Sequence, residues 1–389
     1  MGMPRRLSFW SVAFAFLAVM AYSAVPAPLY VLYGFSSLTT TLVFSAYAVG
    51  VVGGLFLAGH VSDWYGRKRV LVPALVLALV SGVFFLAFRD AAWLSVGRFL
   101  NGISVGAVTA TATAWLQELH RGTPRRAQSV ATGANLGGIG LGPLVAGVLA
   151  QWVASPLTVP YVVSLAAIAL SLVLIAFAPE TRTAQAPRYR PQRVSVPAGD
   201  RAVFLSACAA AAIAFAGFGL FTSLAPSFLA GTLHHGSRAL AGAASCAVFA
   251  AAVVAQLATA VRSPRELLSG GLAAELIGLA LVVTAVWLPS PSLFLFLLGG
   301  AVAGAGGGLL FKGALGTVAG LADEDDRAEV LAGLFLGGYL GLSVPVIGLG
   351  VLVQELSPRT SLLVFAALMA VALLAASPAL LARREPAAA

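Results

Sequence analysis

Twelve long apolar segments follow one another along this sequence. Each is long enough to cross a bilayer core, which takes about 20 residues of α-helix. Only 10% of the 389 residues are charged, too few to cover a water-soluble surface. Spans in lipid must be helices or a closed barrel, and unbroken apolar runs favour helices. We therefore predict an all-α membrane protein. The predicted transmembrane helices are 8–31, 38–58, 70–88, 91–117, 127–150, 160–178, 202–222, 238–260, 268–288, 291–318, 329–353 and 360–381.

The first apolar segment, within MGMPRRLSFWSVAFAFLAVMAYSAV, is also typical of a secretory signal peptide: two arginines precede an apolar run and small residues. We favour an uncleaved first helix, because the apolar run continues through PAPLYVLY and cleavage would leave an odd number of spans. Cleavage is the alternative. Pro26 and Pro28 are expected to bend this helix.

One long polar stretch divides the spans into two sets of six. Shifting the sequence by 201 residues aligns Arg126 with Arg327 and Gly140 with Gly341, which favours two pseudo-symmetric six-helix bundles. Parallel repeats of this kind are typical of transporters whose substrate site lies near the midplane between the halves. The predicted organisation is an N-terminal bundle, 1–179, a cytoplasmic linker, 180–201, and a C-terminal bundle, 202–389.

Basic residues indicate the orientation. With a cytoplasmic N-terminus, eighteen of the 23 lysines and arginines fall in cytoplasmic segments, and only Arg89, Arg238 and Arg359 fall in outer ones. This distribution predicts a multi-pass protein of the inner (cytoplasmic) membrane with both termini cytoplasmic. The net charge of +9 then reflects membrane orientation, and we expect no nucleic-acid partner.

Few residues suggest chemistry beyond transport. Cys208 and Cys246 lie in apolar segments without metal-ligand spacing, so we interpret them as small hydrophobic residues. The tenth-span GAGGGL lacks the lysine of a phosphate-binding loop, and paired catalytic groups are missing from the spans. We therefore predict no catalytic residue, no metal site and no cofactor, and we expect the protein not to be an enzyme.

The charged stretch GHVSDWYGRKRV, 59–70, lies between the second and third predicted spans. It resembles the signature of the major facilitator superfamily, G-x-x-x-D-x-x-G-R-[KR]-[KR]. That resemblance implies a twelve-helix fold of two bundles and places the chain near the drug and metabolite exporters of the family. The matching residues are Gly59, Asp63, Gly66, Arg67, Lys68 and Arg69.

The resemblance implies that this loop gates the cytoplasmic side by tying the two halves together in the outward-open state. Asp63 would contact the N-terminus of the eleventh helix near Glu329, and Arg67 would meet a carboxylate at the end of the fourth, where Glu118 is placed. The alternative is a loop that only sets topology. That alternative explains the basic residues but not Asp63 or the glycines.

The fourth span carries RFLNGISVG, in which Arg98, Gly102 and Gly106 share one helix face. This resembles the fourth-helix motif of the same family. A charge within a span is costly, so Arg98 is a functional candidate. The alternative is an arginine that snorkels to the outer interface.

The fifth span reads GANLGGIGLGPLVAG, and Gly138, Gly142, Pro143 and Gly147 resemble the fifth-helix motif of proton-exchanging exporters in the family. The match departs from the pattern at its end, where Ala146 and Gly147 replace paired glycines. Small residues four apart also serve ordinary helix packing.

Proton coupling needs an acid or histidine in the pathway, and the spans offer few. The candidates are Glu275, Asp63 and Glu118, the last two being better suited to gating. Glu275 lies in a ninth span that is usually peripheral, so the alternative is a lipid-facing side chain that snorkels inward. The acidic run 323–326 is expected to cap the eleventh helix.

A substrate cavity would draw on polar and aromatic residues near mid-depth, suited to a modestly polar organic molecule. Phenylalanines at helical spacing more often serve packing than ligand contact. Lys312 would bind an anionic substrate or reach the inner interface. The predicted substrate-binding residues are Tyr22, Tyr30, Tyr47, Arg98, Asn101, Asn135, Phe218, Phe221, Lys312 and Tyr339.

Together these features predict a monomeric secondary transporter in the lipid bilayer. It would export a small organic compound, a drug or metabolite, in exchange for protons by alternating access. The alternative is an importer or uniporter of a sugar, organic acid or other metabolite, which PETR at 179–182 favours by its resemblance to sugar porters. A non-transporting membrane scaffold or sensor is a third hypothesis.

Overall fold

A computed structural model describes residues 3–58, 61–120, 122–182, 193–197, 200–323 and 326–381, and these residues contain helices and no strand. The helices are numbered here in chain order. Their bounds are α1 (Arg5–Ala24), a 3₁₀ helix (Ala27–Leu32), α2 (Ser37–Ala58), α3 (Val61–Tyr65), α4 (Arg67–Ala87), α5 (Ala91–Leu119), α6 (Pro124–Trp152), α7 (Val159–Ala176), α8 (Arg201–Ser223), α9 (Ala225–Gly231), α10 (Arg238–Ala258), α11 (Pro264–Trp287), α12 (Leu293–Ala319), α13 (Arg327–Glu355) and α14 (Pro358–Leu381).

Twelve membrane-spanning segments are found among the described residues, as the sequence predicts. Each is apolar and at least 18 residues long. Two short helices, α3 and α9, are not among them. The prediction of an all-α membrane protein with twelve spans is confirmed, although several helices extend beyond their predicted apolar limits.

The first span changes its helical form at its prolines. α1 ends at Ala24, and the chain continues as the 3₁₀ helix that begins just after Pro26. Proline lacks a backbone N–H and cannot continue the α-helical hydrogen bonds, so Pro26 and Pro28 change the helix type here.

The chain forms two compact units. Unit 1 comprises Met1–Gln192 with Thr222–Cys246, and unit 2 comprises Arg193–Phe221 with Ala247–Ala389. α10 therefore contributes its first turns to unit 1 and the rest to unit 2. The bounds of these units differ from the predicted bundles, 1–179 and 202–389. The units are defined by contacts in the structure, whereas the bundles were defined by the sequence repeat, so the two bundles stay a prediction.

In unit 1, α2 and α5 cross at glycines. A Cβ added to Gly102 would lie 2.1 Å from the carbonyl oxygen of Tyr47, and one added to Gly54 would lie 2.4 Å from that of Ile103. Glycines four residues apart let two membrane helices bring their backbones into contact. Gly102 and Gly106 of the fourth-span motif therefore hold α5 against α2.

In unit 2, α11 and α12 cross in the same way. A Cβ on Gly278 would lie 2.3 Å from the backbone nitrogen of Ala303, and one on Gly306 would lie 2.4 Å from that of Glu275. This close approach brings the backbone of Glu275 directly against α12.

Candidate functional site

Arg67, the first residue of α4, is the centre of a charged cluster in unit 1. Its side chain is only 3% exposed. The guanidinium donates to Asp63 Oδ1 at 2.6 Å, to Ser62 Oγ at 2.6 Å and to Glu118 Oε1 at 2.8 Å. Its Nε lies 3.3 Å from Glu118 Oε2, so the contact with Glu118 is bidentate. Such forked pairs are the strongest form of arginine–carboxylate recognition.

Glu118, near the C-terminal end of α5, also binds the segment that follows α7. Arg182 Nε donates to Glu118 Oε1 at 2.8 Å, and the Thr181 hydroxyl donates to Glu118 Oε2. Each carboxylate oxygen of Glu118 therefore accepts more than one hydrogen bond. The cluster joins α3, α4, α5 and the chain after α7.

Glu180 occupies the N-terminus of α4. Its carboxylate accepts from the backbone N–H of Arg67 at 2.8 Å and of Lys68 at 3.0 Å. An anion is favourable at a helix N-terminus, where backbone donors have no intrahelical partner. Gly66 makes room for it: its φ is +104°, and an added Cβ would lie 2.6 Å from Glu180 Oε2.

The predicted pairing of Arg67 with Glu118 is present. Asp63, predicted to contact the eleventh helix near Glu329, binds Arg67 in unit 1, and its side chain is 49% exposed. Sequence reasoning missed Ser62, Glu180, Thr181 and Arg182. Glu180, Thr181 and Arg182 belong to PETR, which the sequence connects only with sugar porters, and Ser62 lies in the charged loop without matching the signature.

Two further residues complete the predicted signature. Arg69 is exposed, as expected of a basic residue that only sets the orientation of the protein in the membrane. Arg67 is buried, which that role does not explain. Lys68 donates through Nζ to the carbonyls of Ala176 and Ala178 at the end of α7. Gly59 lies outside the described residues.

Arg98 lies inside unit 1 and is 2% exposed. Its Nη1 donates to the Ser23 carbonyl at 2.5 Å, and its guanidinium carbon lies 5.0 Å from the ring centre of Tyr47. The rings of Phe44 and Tyr30 are at 5.5 and 5.8 Å. The alternative in which Arg98 snorkels outward is wrong, because burial among aromatic faces satisfies the cation where it stands.

Several polar atoms around Arg98 have no partner among the described residues. They include Nε of Arg98, the hydroxyl of Tyr30 and both side-chain polar atoms of Asn101. Asn101 is 1% exposed. Buried polar atoms are normally hydrogen-bonded, so this region of unit 1 has capacity to bind a further polar group. Tyr22 differs, because its hydroxyl already pairs with Ser81 on α4 at 2.8 Å.

The predicted fifth-helix motif forms two helix contacts within unit 1. A Cβ on Gly142 would lie 2.0 Å from the Ala21 carbonyl oxygen, so α6 touches α1 there. A Cβ on Gly147 would lie 2.3 Å from the Arg238 carbonyl oxygen at the start of α10. The carbonyl oxygen of Pro143 would lie 2.1 Å from a Cβ on Gly242, in the same part of α10. Gly138 packs on Met20 of α1. Asn135, also on α6, is half-buried.

Glu275 lies near the middle of α11 and is 1% exposed. Its Oε1 would be 3.2 Å from a Cβ on Gly217 of α8, and its Oε2 has no partner among the described residues. The lipid-facing alternative is wrong. α11 begins at Pro264, four residues earlier than predicted, so Glu275 lies farther from the helix end than the sequence suggests. The close contact of α11 with the glycines of α12 buries it further.

The other candidates of unit 2 are aromatic or basic. Phe218 stacks on Phe249 at 4.9 Å between ring centres, and Phe221 contacts Phe296 at 5.5 Å. Tyr339 meets the edge of Phe215 at 5.3 Å. Lys312 donates to the carbonyls of Gln256 at 2.7 Å and Thr259 at 3.1 Å. It therefore binds the C-terminal end of α10, where a cation complements the helix dipole.

The acidic run 323–326 is only partly described, since Glu324 and Asp325 lie outside the described residues. Asp326 is at the N-cap position of α13 and makes no side-chain capping hydrogen bond, whereas Glu329 is in the first turn. The expected cap is therefore provided by charge near the helix N-terminus and not by a hydrogen bond from Asp326.

Comparison with known proteins connects these features to one family. The family model of the Major Facilitator Superfamily matches residues 7–274. A multidrug resistance protein MdtL of Escherichia coli O45:K1 is 34% identical over 77 residues, 20% of each chain. The arabinose-proton symporter of Bacillus subtilis is 28% identical over 87 residues, 22% of this chain and 19% of that one. The matches thus span about a fifth of these relatives.

Solved structures resemble the chain over nearly its whole length. A POT family transporter in complex with 5-aminolevulinic acid has a TM-score of 0.75 at 12% identity, over 96% of both chains. The human organic anion transporter MFSD10 (TETRAN) has a TM-score of 0.69 at 19% identity, over 96% of this chain and 100% of that one. At such identities the likeness shows the fold alone.

Proposed function

Because the chain belongs to the major facilitator superfamily, we propose that it exports a small organic compound across the cytoplasmic membrane in exchange for protons. The protein is a multi-pass membrane transporter of a small molecule and not an enzyme. The direction of transport, the coupling to protons and the cytoplasmic position of both termini are parts of the proposal.

Glu275 is the observation that carries the proposal. An ionised carboxylate without a partner is costly inside a membrane protein. Binding a proton removes that cost, and a conformation that opens α11 toward water would allow the proton to leave. A residue with these properties can link proton movement to a change of conformation.

Asp63 and Glu118, the other acids considered for coupling, suit the gate better. Both pair with Arg67, and Glu118 also accepts from Arg182 and Thr181. Ion pairs of this kind fasten separate elements together and are costly to break. We propose that the cluster around Arg67 stabilises one state of the transport cycle and that Asp63 and Glu118 act there as gating residues.

The substrate would bind to polar groups that lack partners. Arg98 and Asn101 offer such groups in unit 1, beside the rings of Tyr30 and Tyr47. In unit 2 the aromatic rings of Phe218 and Tyr339 supply apolar contacts. We propose a neutral or anionic organic molecule, because Arg98 provides a buried cation that forms no ion pair within the described part of the chain.

Export is supported by the contacts of α6, whose glycines pack on α1 and on the start of α10, and by similarity to MdtL. Import is the second candidate. It is favoured by the PETR segment, which binds the charged cluster through Glu180, Thr181 and Arg182, and by similarity to the arabinose-proton symporter.

Everted membrane vesicles from cells that lack their own exporters test direction and coupling. The probes are chloramphenicol, norfloxacin and ethidium, which differ in charge, with arabinose as a test of import. Accumulation of a drug after acidification of the vesicle interior, abolished by a protonophore, supports the proposal. Accumulation that survives the protonophore would indicate uniport, and uptake of arabinose alone into right-side-out vesicles would indicate import.

A further inference from the structure

A cavity of about 290 Å³ opens at the end of unit 1 where α1 and α6 begin and α5 ends. It lies outside the residues considered above for substrate, gate and proton. Sites for drug-sized molecules are usually 300–1,000 Å³, so this cavity fits a small head group and not a large organic molecule. Its lining residues are Arg5, Arg6, Phe9, Trp10, Leu119, His120, Gly122 and Arg126.

The cavity is strongly basic. Three of its eight lining residues are arginines and none is acidic. In the part of the chain that the structure describes, Arg5, Arg6 and Arg126 take part in no ion pair, and the first turns of α1 and α6 contain no acidic residue. The concentrated positive charge is therefore available to an anion. Guanidinium groups match phosphate oxygens in particular, because they can donate two parallel hydrogen bonds.

His120 adds a polar contact. Its Nε2 is buried and has no partner among the described residues. Gly122 leaves room beside this nitrogen, since a Cβ there would lie 2.6 Å from it. The ring is held 5.3 Å from that of Phe9. A buried, fixed ring nitrogen without a partner is the kind of group a bound ligand completes.

The opposite wall is apolar and reaches the outer surface of the unit. Phe9 and Leu119 are buried, whereas Trp10 is 47% exposed and its neighbour Leu7 is 53% exposed. A half-exposed tryptophan beside arginines is typical of a helix end at the level of lipid head groups. Basic pockets between membrane helices at this level bind anionic head groups.

We propose that this cavity binds the phosphate group of an anionic ligand, with Arg5, Arg6 and Arg126 around the phosphate and His120 Nε2 as a further hydrogen-bonding partner. Two sources supply this chemistry, an anionic phospholipid and a soluble phosphate ester. In either case the ligand joins the starts of α1 and α6 to the end of α5, directly beside Glu118.

The test uses the full-length protein in nanodiscs of phosphatidylcholine alone or mixed with phosphatidylglycerol, and in phosphatidylcholine with glycerol 3-phosphate added. Retained lipid is measured by native mass spectrometry, and the melting temperature is measured in each condition. The variant is Arg6→Gln with Arg126→Gln. Its control, Arg69→Gln with Arg125→Gln, removes the same charge from exposed positions that do not line the cavity.

We expect the wild type and the control to retain phosphatidylglycerol over phosphatidylcholine and to melt higher with it. The cavity variant should lose roughly 30-fold in affinity, since each arginine near an anionic head group contributes about 1 kcal/mol. An effect of phosphatidylglycerol alone identifies a lipid, and an equal effect of glycerol 3-phosphate identifies a soluble ester.

A single variant guards against failure of the double variant to fold. His120→Phe keeps an aromatic ring and removes both ring nitrogens, and it should weaken binding about fivefold, the value of one hydrogen bond. Equal loss in the cavity variant and in the control would show general charge attraction and overturn the proposal. Equal retention of both lipids by the wild type, with no effect of glycerol 3-phosphate, would overturn it as well.

Discussion

Arg67 in unit 1 and Glu275 in unit 2 are both buried ionisable side chains, but their surroundings are opposite. Arg67 donates hydrogen bonds to Asp63, Glu118 and Ser62, and the first two are also ion pairs. Glu275 has an oxygen without any partner among the described residues and faces glycines of α8 and α12. Arg67 therefore has opposite charges beside it, whereas Glu275 forms no ion pair among the described residues.

This contrast indicates a structural role for the charge of Arg67 and a functional role for the carboxyl group of Glu275. A buried charge surrounded by opposite charges contributes to holding elements together and is strongly destabilising to break. A buried acid without a counter-charge weakens the fold, and function is the usual reason for its presence in a membrane span. Substitutions at the two sites should therefore change stability in opposite directions.

Arg67→Met should give the largest change. It removes the cation from Asp63 and Glu118, and we expect the free energy of unfolding to fall by about 3 kcal/mol. This is the lower end for a broken buried pair, because Asp63 is half exposed and Glu118 keeps Arg182. Thermal melting in detergent measures it. Arg69→Gln, at an exposed neighbour, should change stability by less than about 0.5 kcal/mol. Equal losses of stability in Arg67→Met and Arg69→Gln would show that the buried ion pairs of Arg67 contribute no more than an exposed charge.

Gly66→Ala tests the same cluster through the backbone. The φ of +104° strains any residue with a Cβ, and the added carbon would displace the Glu180 carboxylate. We expect a loss of about 2 kcal/mol in melting experiments. Gly137→Ala on α6 is the control, because a Cβ there has nothing within 4 Å. A well-tolerated Gly66→Ala would mean that Glu180 can leave the α4 N-terminus at little cost.

Glu275→Met should act in the opposite direction. It replaces an unpartnered acid by an apolar side chain of similar length, so the melting temperature should rise, by the equivalent of about 1–2 kcal/mol. Leu272→Met, one turn earlier on α11, is the matched substitution and should change little. A lower melting temperature in Glu275→Met alone would show that the carboxylate has a stabilising partner.

Glu180→Gln should give the smallest change. The amide oxygen can still accept from a backbone N–H, but the charge at the α4 N-terminus is lost, at a cost of about 1 kcal/mol. Raised salt should shrink the difference between wild type and variant. Glu355→Gln, at the exposed C-terminal end of α13, is the control and should not lower stability. A salt-independent loss would indicate a geometric and not an electrostatic role.

Much of the fold follows from the sequence. The length and continuity of the apolar runs determine twelve spans, and the charged loop with Arg67 and Glu118 predicted an ion pair that the structure contains. Glu180, Thr181 and Arg182 were missed because they are 113 or more residues from Arg67, and only folding brings them together. The sequence left the environment of Glu275 open between the pathway and the lipid for a related reason. Its depth depends on where α11 begins and on glycines of α12, neither of which its own apolar run reveals.

Proton movement in liposomes reconstituted with wild type, Glu275→Gln and Glu355→Gln tests the central claim most directly. A pH-sensitive dye in the lumen reports proton flux when the transported compound from the vesicle panel is added on one side. We predict that the wild type and Glu355→Gln exchange compound for protons, whereas Glu275→Gln exchanges the compound between the two sides without moving protons. Proton flux in Glu275→Gln equal to that of the wild type would contradict the account.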